Sequence, residues 1–324
     1  MKKISVVIPM FNSFGLMKRN LEMLEKMPAG SVEVIAVDDC SPDGSFDAAR
    51  AYAQQSSLEM KVLQNEVNAG PGVARNRGID AATGEYITFV DSDDYLDDAF
   101  YSKISALLEQ DIDCIIFDYT VVSETGEAFS IGGSIGAAHV QPGFLDPKFA
   151  FVYTYGSTWG KVYKRSIIEQ HHIRYGAFYR SEDMPFTKQA LAECSCIYYL
   201  NEALYHYVQV ATSLMHNPKL NDERNCQRAF QMLSRNLSDA GLDGELLSVE
   251  LREVLNNSVL IMAGRGCTRK EIVSYIRRSY RREHICSPYF RGYPLYVRVT
   301  ARLAYGRCIF ALRLIERRRS RKKC

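Results

Sequence analysis

The chain has no run of about 18 or more uncharged apolar residues, the length that a membrane-crossing helix needs, so no span is predicted. Its nine cysteines contain no CxxC pair, and Cys194 and Cys196 stand too close together and too alone for a zinc site. An odd, scattered set of this kind argues against a disulfide framework and is expected to be buried or incidental thiols in a reducing cytoplasm. No internal repeat is visible, and the opening run MKKISVVIPM is broken at Pro9 and Asn12, so it reads as a first strand rather than a signal peptide. What is present, 324 residues with 47% hydrophobic and 24% charged, is the composition of a soluble globular protein able to bury one large core or two smaller ones.

Charge is nearly balanced overall, at +2, but unevenly placed. From Arg265 to the end there are 18 Lys and Arg against three Glu, a net of +15; the residues before it carry 22 against 35, a net of −13. A basic segment on an acidic body points to an anionic partner surface. Helical projection of Pro294–Arg318 puts Arg298, Arg302, Arg313 and Arg317 within about 100° of arc, with apolar residues over much of the remainder. Followed by RRRSRKK, this predicts an interfacial helix on anionic lipid headgroups, at about 1 kcal/mol per basic residue near the surface.

The first part of the chain alternates strand and helix signals. Strands are expected at Ile4–Pro9, Val32–Val37, Met60–Gln64, Glu85–Val90 and Cys114–Tyr119, with helices at Phe14–Lys26, from Ser41-Pro-Asp-Gly44 through Ala53, at Pro71–Ala82 and at Asp97–Glu109. Such βαβα units imply a doubly wound, mainly parallel sheet. Val121–Pro147 is rich in Gly, Ser and Ala and breaks the pattern, Tyr153–His216 is dense in aromatics, and from Asn221 the apolar spacing is helical. The predicted divisions are 1–119, 120–216 and 217–324.

Four loops follow these strands: Pro9-Met-Phe-Asn12, Asp38-Asp39-Cys-Ser41-Pro-Asp43, Asn68-Ala-Gly70 running to Arg75-Asn-Arg77, and Asp91-Ser92-Asp93-Asp94. In a parallel sheet they share one edge and can build one pocket. The last packs three carboxylates into four residues where an apolar strand emerges, which is unfavourable unless a cation or hydrogen-bond donors intervene. Taken singly, each piece has a plainer explanation: a helix N-cap, a solvated helix face, a turn.

In order and spacing, however, ISVVIPMFN, VDDCSPD, NAGPGVARNRG and FVDSDD resemble the family 2 glycosyltransferases of bacterial polysaccharide-biosynthesis type. Farther on, Trp159-Gly-Lys161-Val-Tyr163-Lys-Arg165 and Ser181-Glu182-Asp183-Met-Pro-Phe186 resemble that family's W-x-K-L-Y-K-R and ED-x-x-F segments. The resemblance covers residues 4–216. It implies a GT-A fold with an acceptor subdomain and a helical C-terminal region, and a metal-dependent, inverting transfer of a sugar from a UDP-linked donor to a hydroxyl of a cell-surface glycan or lipid-linked acceptor. Pro9, Phe11, Asn12, Asp38, Asp39, Asn68, Gly70, Arg75, Asp91, Ser92 and Ser213 would bind the donor. Within that set Asp39 would accept the uracil N3–H and Arg75 would pair with the diphosphate or base carbonyls. Asp93, with Asp91 and His216, would hold Mg²⁺ or Mn²⁺, and Asp183, supported by Glu182, would be the general base.

One departure stands out. Where the family often reads YYxRxxxxS, Tyr205–His216 has no arginine; His206 or His216 could serve as metal ligand or phosphate donor, and Lys161 or Arg165 could supply the charge. The alternative reading is therefore a module that binds nucleotide-sugar or glycan without turnover. A nucleotidyltransferase is disfavoured because PMFNSFG lacks an early GxGxR loop, and nucleic acid because the basic tail has few interleaved aromatics. The expected location is cytoplasmic, on the inner face of the cell membrane.

Overall fold

Continuous apolar runs become the central strands because both of their faces are covered. In the computed structural model, which describes residues 3–137, 140–177, 181–209, 223–308, 311, 312 and 315, β1 (Ile4–Met10) and β2 (Val32–Asp38) are buried at every position. Half-buried β3 (Glu59–Gln64) forms the edge, and β4 (Tyr86–Phe89) is again fully buried. Helices α1 (Phe14–Leu24), α2 (Ser45–Gln55) and α3 (Pro71–Ala81) connect them. All three pairings are parallel, in the order β3-β2-β1-β4, so the winding reverses beside β1. A reversal of this kind opens a crevice at the carboxyl ends of the strands.

The seating of α3 depends on Gly78, where an added Cβ would lie 2.4 Å from Val7 Cγ1. Gly78→Ala is expected to destabilise the protein by about 1–3 kcal/mol through overpacking. A drop of several degrees in the thermal midpoint by circular dichroism checks this; an unchanged midpoint would mean that the helix does not need this close approach.

The sheet then continues with the expected strand from Cys114 and with further strands that were not evident from sequence pattern. After β5 (Tyr95–Leu96) and α4 (Phe100–Leu108) come β6 (Cys114–Ser123), β7 (Ala128–Gly132), β8 (Gly143–Leu145), α5 (Pro147–Tyr153), β9 (Lys161–Lys164), α6 (Arg165–Gln170), α7 (Asp183–Glu193) and β10 (Ile197–Gln209). The full order is β3-β2-β1-β4-β9-β6-β10-β5, with β7 on β6 and β8 on β10. β9 lies antiparallel between β4 and β6, and β10 runs parallel to β6. The expected strand Cys114–Tyr119 extends to Ser123 because Tyr119–Val122 pair with β7. The expected boundary at 119/120 therefore cuts a strand, and the segments on either side of it share one sheet.

By contact the chain divides into two units: Met1–Ser134 with Gln141–Pro147 and Gly156–Ser213, and Ile135–Val140 with Lys148–Tyr155 and Leu214–Cys324. The second is helical in all its described elements from residue 223 on: α8 (Glu223–Asn236), α9 (Asp243–Val249), a π-helical stretch Glu250–Asn256, α10 (Asn257–Gly264), α11 (Arg269–Ser279), α12 (Arg282–Cys286), a 3₁₀ turn Phe290–Gly292 and α13 (Leu295–Tyr305). Buried Arg252 draws Lys148–Tyr155 into this unit by donating to the carbonyls of Tyr153 (2.7 Å) and Thr154 (2.6 Å).

The single helix expected over Pro294–Arg318 is corrected. α13 ends at Tyr305, and Arg307 adopts a left-handed φ of 59°. A straight projection cannot carry through that break; the expected partners Arg313 and Arg317 lie outside the described residues. None of the eight described cysteines forms a disulfide, and no described helix is long and apolar enough to cross a membrane.

Candidate active site

The loops at the carboxyl edge of β1 to β4 are laced together one to the next. Asn12 N donates to Ser41 Oγ (2.8 Å), and Asp39 N donates to the carbonyl of Met10 (2.8 Å). The Asp39 carboxylate accepts from Asn65 Nδ2 (2.8 Å), Ala69 N (3.1 Å) and Gly70 N (2.7 Å), which binds the loop after β2 to the start of α3. Asp38 Oδ2 accepts from Ser41 N (2.9 Å) and Gln64 Nε2 (3.0 Å). Its Oδ1 is buried without a hydrogen-bond partner among the described residues. Both aspartates thus organise the loops, a task that pattern alone did not reveal. Pro9 is buried, whereas Phe11 and Asn68 are exposed. Asn12 (φ 52°), Cys40 (φ 62°) and Ser181 (φ 64°) hold left-handed conformations in these loops and just before Glu182, the kind of local strain that gathers at functional sites.

The acidic loop after β4 separates into different environments. Asp94 is fully buried; its Oδ2 accepts from Tyr205 Oη (2.5 Å) and its Oδ1 from Val208 N (2.7 Å). Burial, then the charges of Asp93 and Asp91, hold its pKa well above the usual carboxylate range. Tyr205 Oη in turn accepts from Asp91 N (3.2 Å), so Tyr205 braces the loop from β10. Tyr205 stands at the start of the segment compared with YYxRxxxxS, but nothing in that segment pointed to Asp94 as its partner.

Asp93, half-buried, is pushed up to about 6 by burial and then by the charge of Asp91, and no other described residue bonds its carboxylate. A divalent cation fits this donor set: two carboxylates of like charge, one of them raised by burial and by the charge of the other. No group of three or more His, Cys, Asp or Glu side chains poised to hold a metal occurs among the described residues.

The Glu182-Asp183 pair opens α7 and meets the acidic loop through one side chain. Arg75, 4% exposed, donates from Nη2 to Asp91 Oδ1 (2.7 Å) and from Nη1 to Glu182 Oε1 (2.9 Å) and Asp183 Oδ1 (3.0 Å). Thr158 Oγ1 lies 3.4 Å from the same Asp183 oxygen. Burial pushes Asp183 up to about 7; Arg75 opposes that rise, and Glu182 and Asp91 add to it. A carboxylate at that value is matched to taking a proton near neutral pH.

Beside it, Trp159 stacks on Tyr205 with ring centroids 4.9 Å apart. Lys161 Nζ donates to the carbonyls of Ser157 (2.7 Å) and Trp159 (3.2 Å), and Arg165 Nε to that of Gly84 (2.6 Å), so both serve backbone carbonyls rather than the site. His206 pairs with Asp97 (3.0 Å) and stacks on Tyr95. Ser213 and His216 lie outside the described residues.

The chain is similar to several known proteins. The uncharacterized glycosyltransferase YibD of Escherichia coli (strain K12) is 30% identical over 73% of this chain and 72% of its own length. The poly(ribitol-phosphate) beta-N-acetylglucosaminyltransferase TarS of Staphylococcus aureus (strain Mu50) is 30% identical over 64% of this chain, spanning about a third of TarS (35%). Among solved structures, S. aureus TarS 1–349 in complex with UDP-GlcNAc superposes with a TM-score of 0.70 over 95% of this chain and 90% of that one, at 22% identity. The mannosyltransferase PcManGT of Pyrobaculum calidifontis, in complex with GDP-Man and Mn²⁺, gives 0.54 over 93% and 86%, at 14% identity. At those identities the structural likenesses speak to the fold alone, which is GT-A. The model of glycosyl transferase family 2 matches residues 5–172, more than half of the sequence, and the chain belongs to that family of glycosyltransferases.

Proposed function

We propose that the protein transfers a sugar from a UDP-linked donor to a hydroxyl of a cell-surface glycan or lipid-linked acceptor, inverting the anomeric centre. The observation that carries this reading is the meeting of Asp91 with Glu182 and Asp183 at Arg75, which brings a donor-side acid and a base into one site. The solved complexes of TarS with UDP-GlcNAc and with UDP support a uridine donor. Its name, with that of a poly(ribitol-phosphate) beta-glucosyltransferase of Bacillus spizizenii, supports a polymeric surface acceptor.

In this mechanism Asp183 accepts the proton of the acceptor hydroxyl. The bond from that oxygen to the anomeric carbon forms as the bond from the carbon to the diphosphate oxygen breaks, and its electron pair leaves with UDP. A single base on the acceptor side suits direct displacement with inversion. Asp93 and Asp91 would hold Mg²⁺ or Mn²⁺, which supplies Lewis-acid stabilisation of the leaving diphosphate when bound. Pro9, Phe11, Asn12, Asp38, Asp39, Asn68, Gly70 and Ser92 would line the nucleotide-sugar. Release of UDP from a panel of UDP-sugars tests the proposal; tight UDP binding with no release from any donor would favour a binding module instead.

The basic end would hold the enzyme at an anionic membrane face. Support comes from the net charge of +15 after Arg265 and from exposed Leu295 (68%) and Tyr296 (57%) on α13. Deleting Arg317–Lys323 is expected to weaken sedimentation with anionic vesicles, while unchanged binding at moderate salt would refute a membrane role for the tail.

A further inference from the structure

Arg75 touches both acidic stations of the site at once. Its guanidinium spends both Nη1 protons on Glu182 and Asp183 and one Nη2 proton on Asp91. The Nε proton is buried and has no partner among the described residues, and the guanidinium carbon lies 5.4 Å from the Tyr175 ring centre. This proximity is built into the packing. Gly72 lets the first turn of α3 press against the Glu182 segment, where an added Cβ would come within 2.9 Å of the Gly176 carbonyl oxygen and 3.3 Å of Glu182 Cγ.

We propose that Arg75 is a positioning residue that fixes the Asp183 carboxylate for proton abstraction and ties it to donor-side Asp91, rather than a ligand of the donor diphosphate. The proposal rests on the reading of Asp183 as base. Charge decides between the two roles. The guanidinium is set among Asp91, Glu182 and Asp183, so its positive charge is already matched by carboxylates and little is left to offer a diphosphate. Access points the same way, since a side chain 4% exposed offers a ligand little surface. A planar fork can grip several carboxylates in fixed directions, which a lysine ammonium cannot do.

The groups facing Asp183 are Arg75 from α3, Glu182 beside it, Asp91 from the loop after β4 and Thr158 from the loop before β9. Without the guanidinium, burial and two carboxylates favour the protonated acid, and only the hydrogen bond from Thr158 still opposes them. Asp183 should then titrate about 1–3 pH units higher.

The test is ¹³C NMR titration of carboxyl-labelled aspartates in the full-length protein, with Asp183→Asn to assign the signal. Arg75→Gln is expected to move the Asp183 midpoint up by about one unit or more, and Arg75→Lys, which keeps the charge but loses the fork, by less. Calorimetric titration with UDP and Mn²⁺ should give an affinity within about threefold of wild type for both variants. An unmoved Asp183 midpoint in a folded variant overturns the proposal, as does a tenfold loss of UDP affinity whether or not the midpoint moves. If Arg75→Gln does not fold, Arg75→Lys carries the comparison. Neither readout uses turnover, so an absence of transfer activity would count against Asp183 as base without touching the role of Arg75.

Discussion

Replacing Asp183 by Asn is expected to lower the transfer rate by about 10²–10⁴, the span contributed by a general base, while leaving UDP affinity unchanged. Asn keeps the Oδ1 acceptor that faces Arg75 Nη1 and Thr158 Oγ1, so the local packing survives and only proton acceptance is lost. The wild-type rate should itself rise with pH through about 7, because below that value Asp183 carries its proton and cannot take another. The variant should lack this limb. Steady-state kinetics across pH, paired with UDP calorimetry, reads both effects. A full rate in Asp183→Asn would remove the base from the mechanism.

The second large effect is expected at Asp93. Asp93→Asn should lower transfer by about 10² or more, since the stabilisation a cation gives a leaving diphosphate amounts to several kcal/mol. Yet the variant should be at least as stable as wild type. The sign follows from Asp93 being raised in the folded protein to about 6: above that pH the ionised form opposes folding, and below about 3.8 the penalty vanishes. Asn removes the charge at every pH, so its thermal midpoint at pH 7.5 should match or exceed that of wild type. A lower midpoint would show that the carboxylate is structural. Retained activity would show that the cation, if used, is held elsewhere.

These two residues were legible because their neighbours announce them. Asp93 closes an apolar strand inside FVDSDD, and Asp183 stands in the ED segment at the start of a helix. Arg75 was legible as a site residue but not in its partners, because a diphosphate and a cluster of carboxylates attract the same fork. Tyr205 and Asn65 gave no local sign of their partners: one braces Asp94 across 111 positions, the other holds Asp39 across 26. Among the elements, β7 and β8 escaped notice because Gly and Ser dilute their alternation, β9 because it is only four residues long, and β10 because it carries shifts of register. The helix projected over Pro294–Arg318 failed for the opposite reason: its periodicity was read across a turn at Gly306–Arg307 that periodicity cannot see.

Local pattern by itself determined the parallel half of the fold. Apolar runs of strand length alternating with amphipathic helices have one compact way to wind, and it puts the loop acids at one edge. Only the tertiary structure decided which of those acids share a cation and which stand alone. Asp91, Glu182 and Asp183 meet at Arg75 because α3 packs closely at Gly72 and Gly78, and Asp93 is left without a partner among the described residues because β10 delivers Tyr205 to Asp94 instead. Carboxylates are chemically alike in sequence. What separates a base, a metal ligand and a buried brace is burial and the charge beside each, and both are set by contacts between residues far apart in the chain.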